Sequence, residues 1–306
     1  MANTNPKAPR KALVLAGGGA RGSYQVGVWR ALTELGWKPD LITGTSVGSL
    51  NGAMFALDLY ETARDMWLSI RSQDVMELPE QDADLSELHR FLREVVRQGG
   101  MDVTPLEEIV ERVLDEDALR ASPMDFGLVT VEQRGLRPRE LPLKDIPRGK
   151  VKDYLLASAA CFPALRAHSI DGVNYLDGGY RDNMPTALAQ KMGADELLCV
   201  DLEGVGITLP NRTGLPTTLV KSYWELGDIL HFDPDTARRN IELGYYDTRR
   251  AMGYLRGCAY AVSCDAQSCQ DAAAFAWQFG QLQKFVREKY PVTLTADAAL
   301  RLANLK

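Results

Sequence analysis

The chain has 306 residues, of which 45% are hydrophobic and 25% are charged. These values are ordinary for a globular protein with a substantial core, and they exclude a disordered tail, a collagen-like fibre and a small disulfide scaffold. With 35 basic residues against 41 acidic ones, the formal net charge is −6. This argues against a nucleic-acid-binding protein, since such proteins carry a clustered basic excess.

The sequence gives no signal for secretion, membrane insertion or metal binding. Its apolar runs fall short of the ~18 residues that a membrane span needs, and the first one leads directly into glycines. The five cysteines lack a zinc-binding spacing, so we expect free thiols in a reducing compartment; they are Cys161, Cys199, Cys258, Cys264 and Cys269. We therefore expect a cytoplasmic protein without a bound metal or cofactor.

The first 60 residues contain two predicted strand-to-helix units. Residues 12–16 are continuously apolar, which is typical of a strand buried on both faces of a sheet. A helical pattern begins at Gly22 and ends at Gly36, a residue suited to a helix C-terminus. A second strand over 41–43 leads through a sharp turn into a helix that ends near Leu57. This alternation predicts a layered α/β fold.

The middle of the chain differs in charge. Residues 72–88 carry six acids and no base, and two helices are predicted to follow, the second beginning at Thr104 and Pro105. Residues 134–152 hold seven bases against two acids. That patch indicates either a solvated hairpin or a surface facing anionic head groups.

Two hairpins and a long helix are predicted beyond residue 125. Strands over 126–131 and 136–141 form the first hairpin, and Asp171-Gly172 is the turn of the second. A buried strand is predicted over 197–202. Asp233-Pro234 then begins an amphipathic helix whose apolar stripe indicates core packing.

The segment Gly17-Gly18-Gly19-Ala20-Arg21-Gly22 lies between the first strand and the first helix. Its G-x-G-x-x-G pattern is typical of a dinucleotide-binding loop, and Asp40 lies near the distance expected of a ribose ligand. Backbone N–H groups at a helix N-terminus stabilise a phosphate or a transient oxyanion equally well. The segment by itself therefore fits a nucleotide site and an oxyanion hole.

The pattern Gly44-x-Ser46-x-Gly48 lies between the second strand and the second helix. This is the nucleophile-elbow pattern in the context that it requires. Glycine on both sides permits a strained turn, and the helix dipole favours a developing alkoxide on Ser46. The pattern predicts a serine nucleophile.

A serine nucleophile needs a base, for which the sequence offers two main candidates. The sequence contains three histidines, His89, His168 and His231. Only His231 comes after both Ser46 and Asp177, as the chain order of a Ser-Asp-His triad requires. The other candidate is Asp177, which ends a predicted strand and precedes Gly178-Gly179. A carboxylate of ordinary pKa is a weak base, so a Ser–Asp pair requires an oxyanion hole that carries much of the stabilisation.

Taken in order, the first glycine segment, the Gly44–Gly48 turn, residues 157–163 and Asp177-Gly178-Gly179 resemble the patatin-like phospholipase family. The resemblance implies a three-layer α/β fold similar to the catalytic domain of cytosolic phospholipase A2. It also implies a Ser46–Asp177 dyad that hydrolyses acyl esters of lipids without calcium in the chemistry.

The resemblance also assigns roles to the glycine segment. Its oxyanion donors are expected among the backbone N–H groups of Gly17, Gly18, Gly19, Arg21 and Gly22. The Arg21 side chain is expected either to neutralise a lipid phosphate or to brace the loop. Gly44, Gly48, Gly178 and Gly179 support the two motifs that carry the dyad.

The predicted organisation is a catalytic domain over 11–200 with a helical cover at about 60–120, followed by a mainly helical extension over 201–306 that packs on the same domain. Met66, Trp67, Leu68 and Ile70 are the apolar residues of the cover. The expected partners are a phospholipid or lysophospholipid and, transiently, a membrane surface, with no nucleic acid. Three alternatives remain: an esterase using His231, a non-catalytic acyl-chain-binding protein and, least favoured, an NAD-dependent oxidoreductase.

Overall fold

The computed structural model describes residues 8–76, 95, 97, 99–257 and 263. The chain divides into two compact units, residues 1–253 and 254–306, and every element named here belongs to the first. The strands are β1 (Lys11–Leu15), β2 (Leu41–Thr45), β3 (Asp125–Glu132), β4 (Arg137–Pro142), β5 (His168–Ile170), β6 (Val173–Asp177), β7 (Glu196–Asp201) and β8 (Thr217–Lys221). The helices are α1 (Ser23–Glu34), α2 (Val47–Ala56), α3 (Tyr60–Trp67), α4 (Thr104–Val113), α5 (Glu116–Ala121), α6 (Val151–Ser158), α7 (Thr186–Lys191) and α8 (Pro234–Ala251).

In the described part of the chain, eight strands form one mixed sheet. The order is β5-β6-β3-β2-β1-β7-β8, and β4 pairs with β3 off this path. The pairs among β1, β2, β3, β7 and β8 are parallel, whereas β4 and β6 run antiparallel to β3. The carboxyl ends of the parallel strands therefore meet at one edge of the sheet, where α/β proteins build their sites.

The two faces of the sheet bury separate sets of apolar side chains. On β1, Leu13 and Leu15 join a large core beneath α1, α2 and α6, whereas Ala12 and Val14 join a smaller core that includes Ala189 of α7. Side chains of a strand alternate between faces, so one apolar segment serves both layers. Helix, sheet and helix form three layers, which confirms the predicted fold class.

Helices α1 and α8 cross at very short range. A Cβ added at Gly27 of α1 would overlap the carbonyl oxygen of Ile241, and one added at Gly244 of α8 would overlap that of Tyr24. Two glycines facing each other thus let the backbones touch. Near this crossing, the Tyr24 hydroxyl donates a 2.9 Å hydrogen bond to Asp247.

The region after residue 200 differs from the mainly helical prediction. It contains α8, capped by Asp233 as expected, but it also contributes β8, which extends the sheet beside β7. Residues 201–253 belong to the first compact unit. Most of the rest of the predicted extension lies outside the described residues.

Some other predictions also fall on residues that are not described. Of the expected cover, α3, α4 and α5 are present, but residues 77–94, 96 and 98 lie outside the described part, and His89 is among them. Cys161 and Cys199 are free, and the three remaining cysteines fall outside the described residues. None of the helices described in the structure is long and apolar enough to cross a membrane.

The glycine contact between α1 and α8 gives a test of the fold. We expect Gly27→Ala to lower the free energy of unfolding by about 2–4 kcal/mol, because the new methyl group meets backbone that cannot rotate away. On an uncrowded helix the same change stabilises by about 1 kcal/mol. Gly52→Ala in α2, where the added Cβ meets only side-chain atoms at 3.0 Å or more, is the control. Urea unfolding measures both, and a stabilised Gly27→Ala variant contradicts the contact.

Candidate active site

The register along β3 brings Ser46 and Asp177 together. The end of β2 pairs Thr45 with Val129, and the next residue of β3, Thr130, pairs with Asp177 at the end of β6. Because β4 occupies the whole opposite side of β3, β6 must lie on the same side as β2. The two strands therefore meet end to end, and the serine that follows β2 lies beside the aspartate that ends β6.

Ser46 occupies a strained turn between β2 and α2. Its φ is 55° and its ψ is −133°, a backbone conformation that a residue with a side chain rarely adopts and that is typical of functional sites. A Cβ at Gly44 would overlap the carbonyl oxygen of Gly48, and one at Gly48 would overlap that of Leu15. Both glycines of the elbow pattern are therefore required by close backbone approach.

Ser158, at the end of α6, holds this turn in place. Its hydroxyl accepts a 2.9 Å hydrogen bond from the Ser46 N–H and donates one of 2.7 Å to the carbonyl of Val129. The hydroxyl of Ser49 also donates to the Ser46 carbonyl at 2.7 Å. Sequence reasoning used Ser158 only as part of a family resemblance and missed this role. The only local signal was a buried polar residue within a run of alanines.

Asp177, the last residue of β6, is buried, with 6% of its surface exposed. Its carboxylate accepts a 2.7 Å hydrogen bond from the N–H of Gly179, and the Ser46 side chain lies close enough to lower its pKa. Burial outweighs both neighbours and raises the pKa of Asp177 to about 6. The sequence analysis treated this group as a carboxylate of ordinary pKa, and burial makes it a stronger base.

The glycine loop supplies fewer free N–H groups than predicted. The N–H of Gly17 donates to the carbonyl of Asn183, and that of Arg21 donates to the carbonyl of Gly18, each at 3.2 Å. Those of Gly18 and Gly19 have no acceptor among the described residues, and both residues line the same cleft as Ser46. The N–H groups of Gly17 and Arg21 are therefore already bonded to backbone carbonyls, whereas those of Gly18 and Gly19 are available to an oxyanion.

The Arg21 side chain braces the loop, the second of its two expected roles. Its Nε donates to the carbonyl of Gly227 at 2.7 Å, and its terminal nitrogen donates to the carbonyls of Leu202 and Glu203. The guanidinium is thus committed to backbone oxygens and is not placed to bind a lipid phosphate.

Gly22 has a packing role, since a Cβ there would come within 2.5 Å of the Val47 side chain.

Asn183 joins the glycine loop to the segment that follows Asp177. Its side-chain amide donates to the carbonyl of Gly17 at 3.2 Å, and its own carbonyl accepts the N–H of Gly17. The residue is 2% exposed and lines the cleft. Sequence reasoning did not single it out, because a lone asparagine six residues after Asp177 has no pattern of its own.

Ser46 and Asp177 line an apolar cleft with a cavity volume of about 120 Å³. Apart from the loop and dyad residues, its walls are almost entirely hydrophobic. They come from α2, α3, α4, α6 and the segment before α8, and include Leu50, Met54, Leu57, Met66, Trp67, Ile70, Leu106, Ile109, Val113, Leu155, Leu230 and Phe232. Of the four predicted cover residues, Met66, Trp67 and Ile70 line the cleft, whereas Leu68 packs against the core.

The alternative assignments lack support in the geometry. His231 is exposed, and its neighbours Leu230 and Phe232 line the cleft while His231 does not. His168 lies 3.4 Å from Asp153, outside the cleft. Asp40 precedes β2 and so lies at the opposite edge of the sheet from the glycine loop, where it accepts the N–H of Lys11. A ribose bound at that loop is out of its reach.

These features place the chain in the class of layered α/β proteins that carry a serine on a tight strand-to-helix turn. A family model described as patatin-like phospholipase matches residues 13–189. The chain therefore belongs to the patatin-like phospholipase family, as its motifs indicated.

Curated relatives are longer than this chain. Patatin-like phospholipase domain-containing protein 6 of Homo sapiens is 30% identical over 265 residues, covering 81% of this chain and 18% of that protein. Lysophospholipase nte1 of Aspergillus terreus is 28% identical over 66% of this chain and 12% of its own length. This chain thus spans less than a fifth of either relative. Among solved structures, VipD from Legionella pneumophila aligns over 92% of this chain and 77% of its own, with 13% identity and a TM-score of 0.48.

The support from Ser158 can be tested by stability. We expect Ser158→Ala to lower the free energy of unfolding by about 2–4 kcal/mol, because it removes the hydrogen bonds that Ser158 makes to the Ser46 N–H and to the buried carbonyl of Val129. Ser69→Ala is the matched control, since the Ser69 hydroxyl also bonds to backbone carbonyls but in an exposed position, and it should cost less than about 0.5 kcal/mol. Equal effects in urea unfolding contradict the assignment.

Proposed function

We propose that this protein is a serine acyl hydrolase that cleaves carboxylic ester bonds of lipids. The observation that carries the proposal is that Ser46, on a strained turn, and the buried carboxylate of Asp177 lie side by side and line the same apolar cleft. A hydroxyl beside a base of raised pKa is the arrangement of an activated nucleophile. The apolar walls suit an acyl chain, and family membership agrees with both features.

In the proposed reaction, Ser46 Oγ attacks the ester carbonyl carbon while Asp177 accepts the hydroxyl proton. The N–H groups of Gly18 and Gly19 stabilise the oxyanion of the tetrahedral intermediate. As the intermediate collapses, the ester C–O bond breaks and Asp177 returns the proton to the leaving alcohol, which leaves an acyl-enzyme on Ser46. Water then attacks the acyl-enzyme, Asp177 takes its proton, and the fatty acid departs as Ser46 Oγ regains a proton.

The proposed substrates are phospholipids or lysophospholipids. The names of the fungal and human relatives refer to lysophospholipase and phospholipase, and the walls of the cleft are apolar, as an acyl chain requires. A carboxylesterase acting through His231 finds no support, because that side chain lies outside the cleft. A non-catalytic acyl-chain-binding protein would also need the cleft, but it has no use for a strained serine next to a buried carboxylate.

The predicted cover, α3 to α5, forms part of this proposal. Its helices supply Met66, Trp67, Leu106 and Ile109 to the cleft wall. We propose that they shield the acyl chain from water while the ester lies at Ser46. Apolar burial of this kind gives about 25 cal/mol for each Å² removed from water, which favours long chains over short ones.

Ester hydrolysis by matched variants tests the dyad. With p-nitrophenyl butyrate and with lysophosphatidylcholine, we expect Ser46→Ala to lose turnover entirely and Asp177→Asn to lose it by about 10³-fold or more. Asp182→Asn is the matched control, because Asp182 is equally buried and also accepts the backbone N–H two residues ahead. It should retain activity.

The alternatives give different results in the same assay. Turnover that survives in Ser46→Ala rules out the proposed nucleophile. If no sample hydrolyses either ester but all bind a fluorescent fatty acid, the protein is an acyl-chain carrier.

The pH dependence of hydrolysis provides a separate test of the base. Asp177 accepts a proton only when it is ionised, and burial raises its pKa to about 6. The rate should therefore rise with pH, reach half its maximum near pH 6 and stay level above that value. A stopped assay from about pH 4 to about pH 8 measures the profile. Asp182→Asn should leave it unchanged, and a rate that is flat through pH 6 contradicts the role of Asp177.

A further inference from the structure

Two hydrogen bonds connect the active site to exposed loops at the same edge of the sheet. The Nε of Arg181, which follows the turn Gly178–Tyr180, donates to the carbonyl of Leu136 at 2.8 Å. The carbonyl of Gly179, in the same turn, accepts the N–H of Ile207 at 2.7 Å. The β3–β4 turn, the segment after Asp177 and the loop after β7 therefore form one continuous surface beside the dyad.

Large apolar side chains project from this surface into solvent. We call Leu136, Val205 and Ile207 the apolar rim; their exposed fractions are 39%, 76% and 49%. Val205 also lines the cleft, and a residue that is both exposed and cleft-lining marks the mouth of the cleft. The apolar rim thus lies next to the opening through which an acyl chain must enter.

Positive charge surrounds the apolar rim. Arg134, Arg137 and Arg181 are exposed, and no ion pair joins any of them to an acid within the described residues. Two neighbouring acids are paired, Glu132 with Arg139 and Glu203 with Lys221. The three arginines therefore place positive charge beside the rim, although the chain as a whole carries a net charge of −6.

We propose that the apolar rim and these three arginines dock the protein onto a bilayer surface that carries anionic head groups. Exposed apolar side chains flanked by cations are typical of surfaces that enter the headgroup region, and each arginine near an anionic surface adds to the attraction. Docking in this orientation places the cleft mouth against the lipid. This inference rests on the proposed function, since it assumes that the substrate resides in the bilayer.

The direct test is sedimentation with vesicles, using the Ser46→Ala protein so that no lipid is consumed. Vesicles of phosphatidylcholine alone are compared with vesicles containing equal amounts of phosphatidylcholine and phosphatidylserine. We expect binding to the anionic vesicles only, weakening as salt is raised because exposed charges are screened. Equal binding to both vesicle types, or binding to neither, overturns the proposal.

Charge variants identify the edge that binds. Arg134→Gln with Arg137→Gln should weaken binding to anionic vesicles about 30-fold. The control pair, Lys38→Gln with Lys144→Gln, removes the same charge from residues that lie before β2 and after β4, at the opposite edge of the sheet. It should bind as the parent does. If the arginine pair and the lysine pair weaken vesicle binding equally, binding depends on net charge alone, and the proposed docking edge is contradicted.

An apolar pair tests the rim itself. Leu136→Asn should weaken binding about tenfold, and asparagine tolerates the φ of 49° at this position. Leu219→Asn, on β8 and 52% exposed, is the matched control and should have no effect. If neither Leu136→Asn nor Leu219→Asn weakens vesicle binding while the arginine variants do, the surface binds anions without inserting into lipid. The proposal then fails.

Hydrolysis separates this inference from the proposed function. With Ser46 intact, the arginine pair and Leu136→Asn should keep full activity on soluble p-nitrophenyl butyrate but lose activity on anionic vesicles in proportion to binding. If these variants hydrolyse vesicle lipid as fast as the unmutated protein does, the docking proposal is contradicted, whereas the proposed hydrolase function is not. If the unmutated protein hydrolyses neither soluble p-nitrophenyl butyrate nor the vesicle lipid, the proposed function is contradicted.

Discussion

The site depends on a shared strand, because β2 and β6 use the same side of β3 and end against each other there. The β2 ladder ends where Thr45 pairs with Val129, and the β6 ladder begins where Asp177 pairs with Thr130, so Ser46, the next residue after Thr45, lies beside Asp177. A shift of register by one residue would turn the aspartate to the other face of the sheet. The backbone of β3 thereby sets the distance between the two groups, and Ser158 ties the serine to the same strand.

The apolar surroundings of Asp177 change its acidity. Burial raises the pKa of Asp177 from 3.8 to about 6, although its Ser46 and Gly179 neighbours lower it. Since the folded-state pKa lies above the unfolded one, this carboxylate lowers the stability of the fold as pH rises through that interval. The proposed role of Asp177 as a base and the stability of the fold therefore oppose each other at this residue. The close glycine contacts and the three-layer core offset the loss.

Local patterns predicted the parts of the molecule that neighbouring residues determine. The buried strand β1, the elbow at Ser46 and the Asp171-Gly172 turn, with φ of 50° and 81°, all follow from short-range spacing and turn chemistry. The missed features depend on residues far apart in sequence. Ser158 binds a residue 112 positions away, and the partners of Arg21 lie 181 to 206 positions away. No single-sequence pattern reports such distances, and the mostly polar β8 had too weak a strand signal.

Labelling with a fluorophosphonate tests the central claim most directly, because such a reagent reacts only with an activated nucleophile. Intact and peptide mass spectrometry of the labelled protein should find one phosphonyl group, attached to Ser46. Asp177→Asn should slow its formation strongly, and Asp182→Asn should not. Modification of another residue, or equal labelling with and without Asp177, would show that Ser46 is not activated by the buried carboxylate.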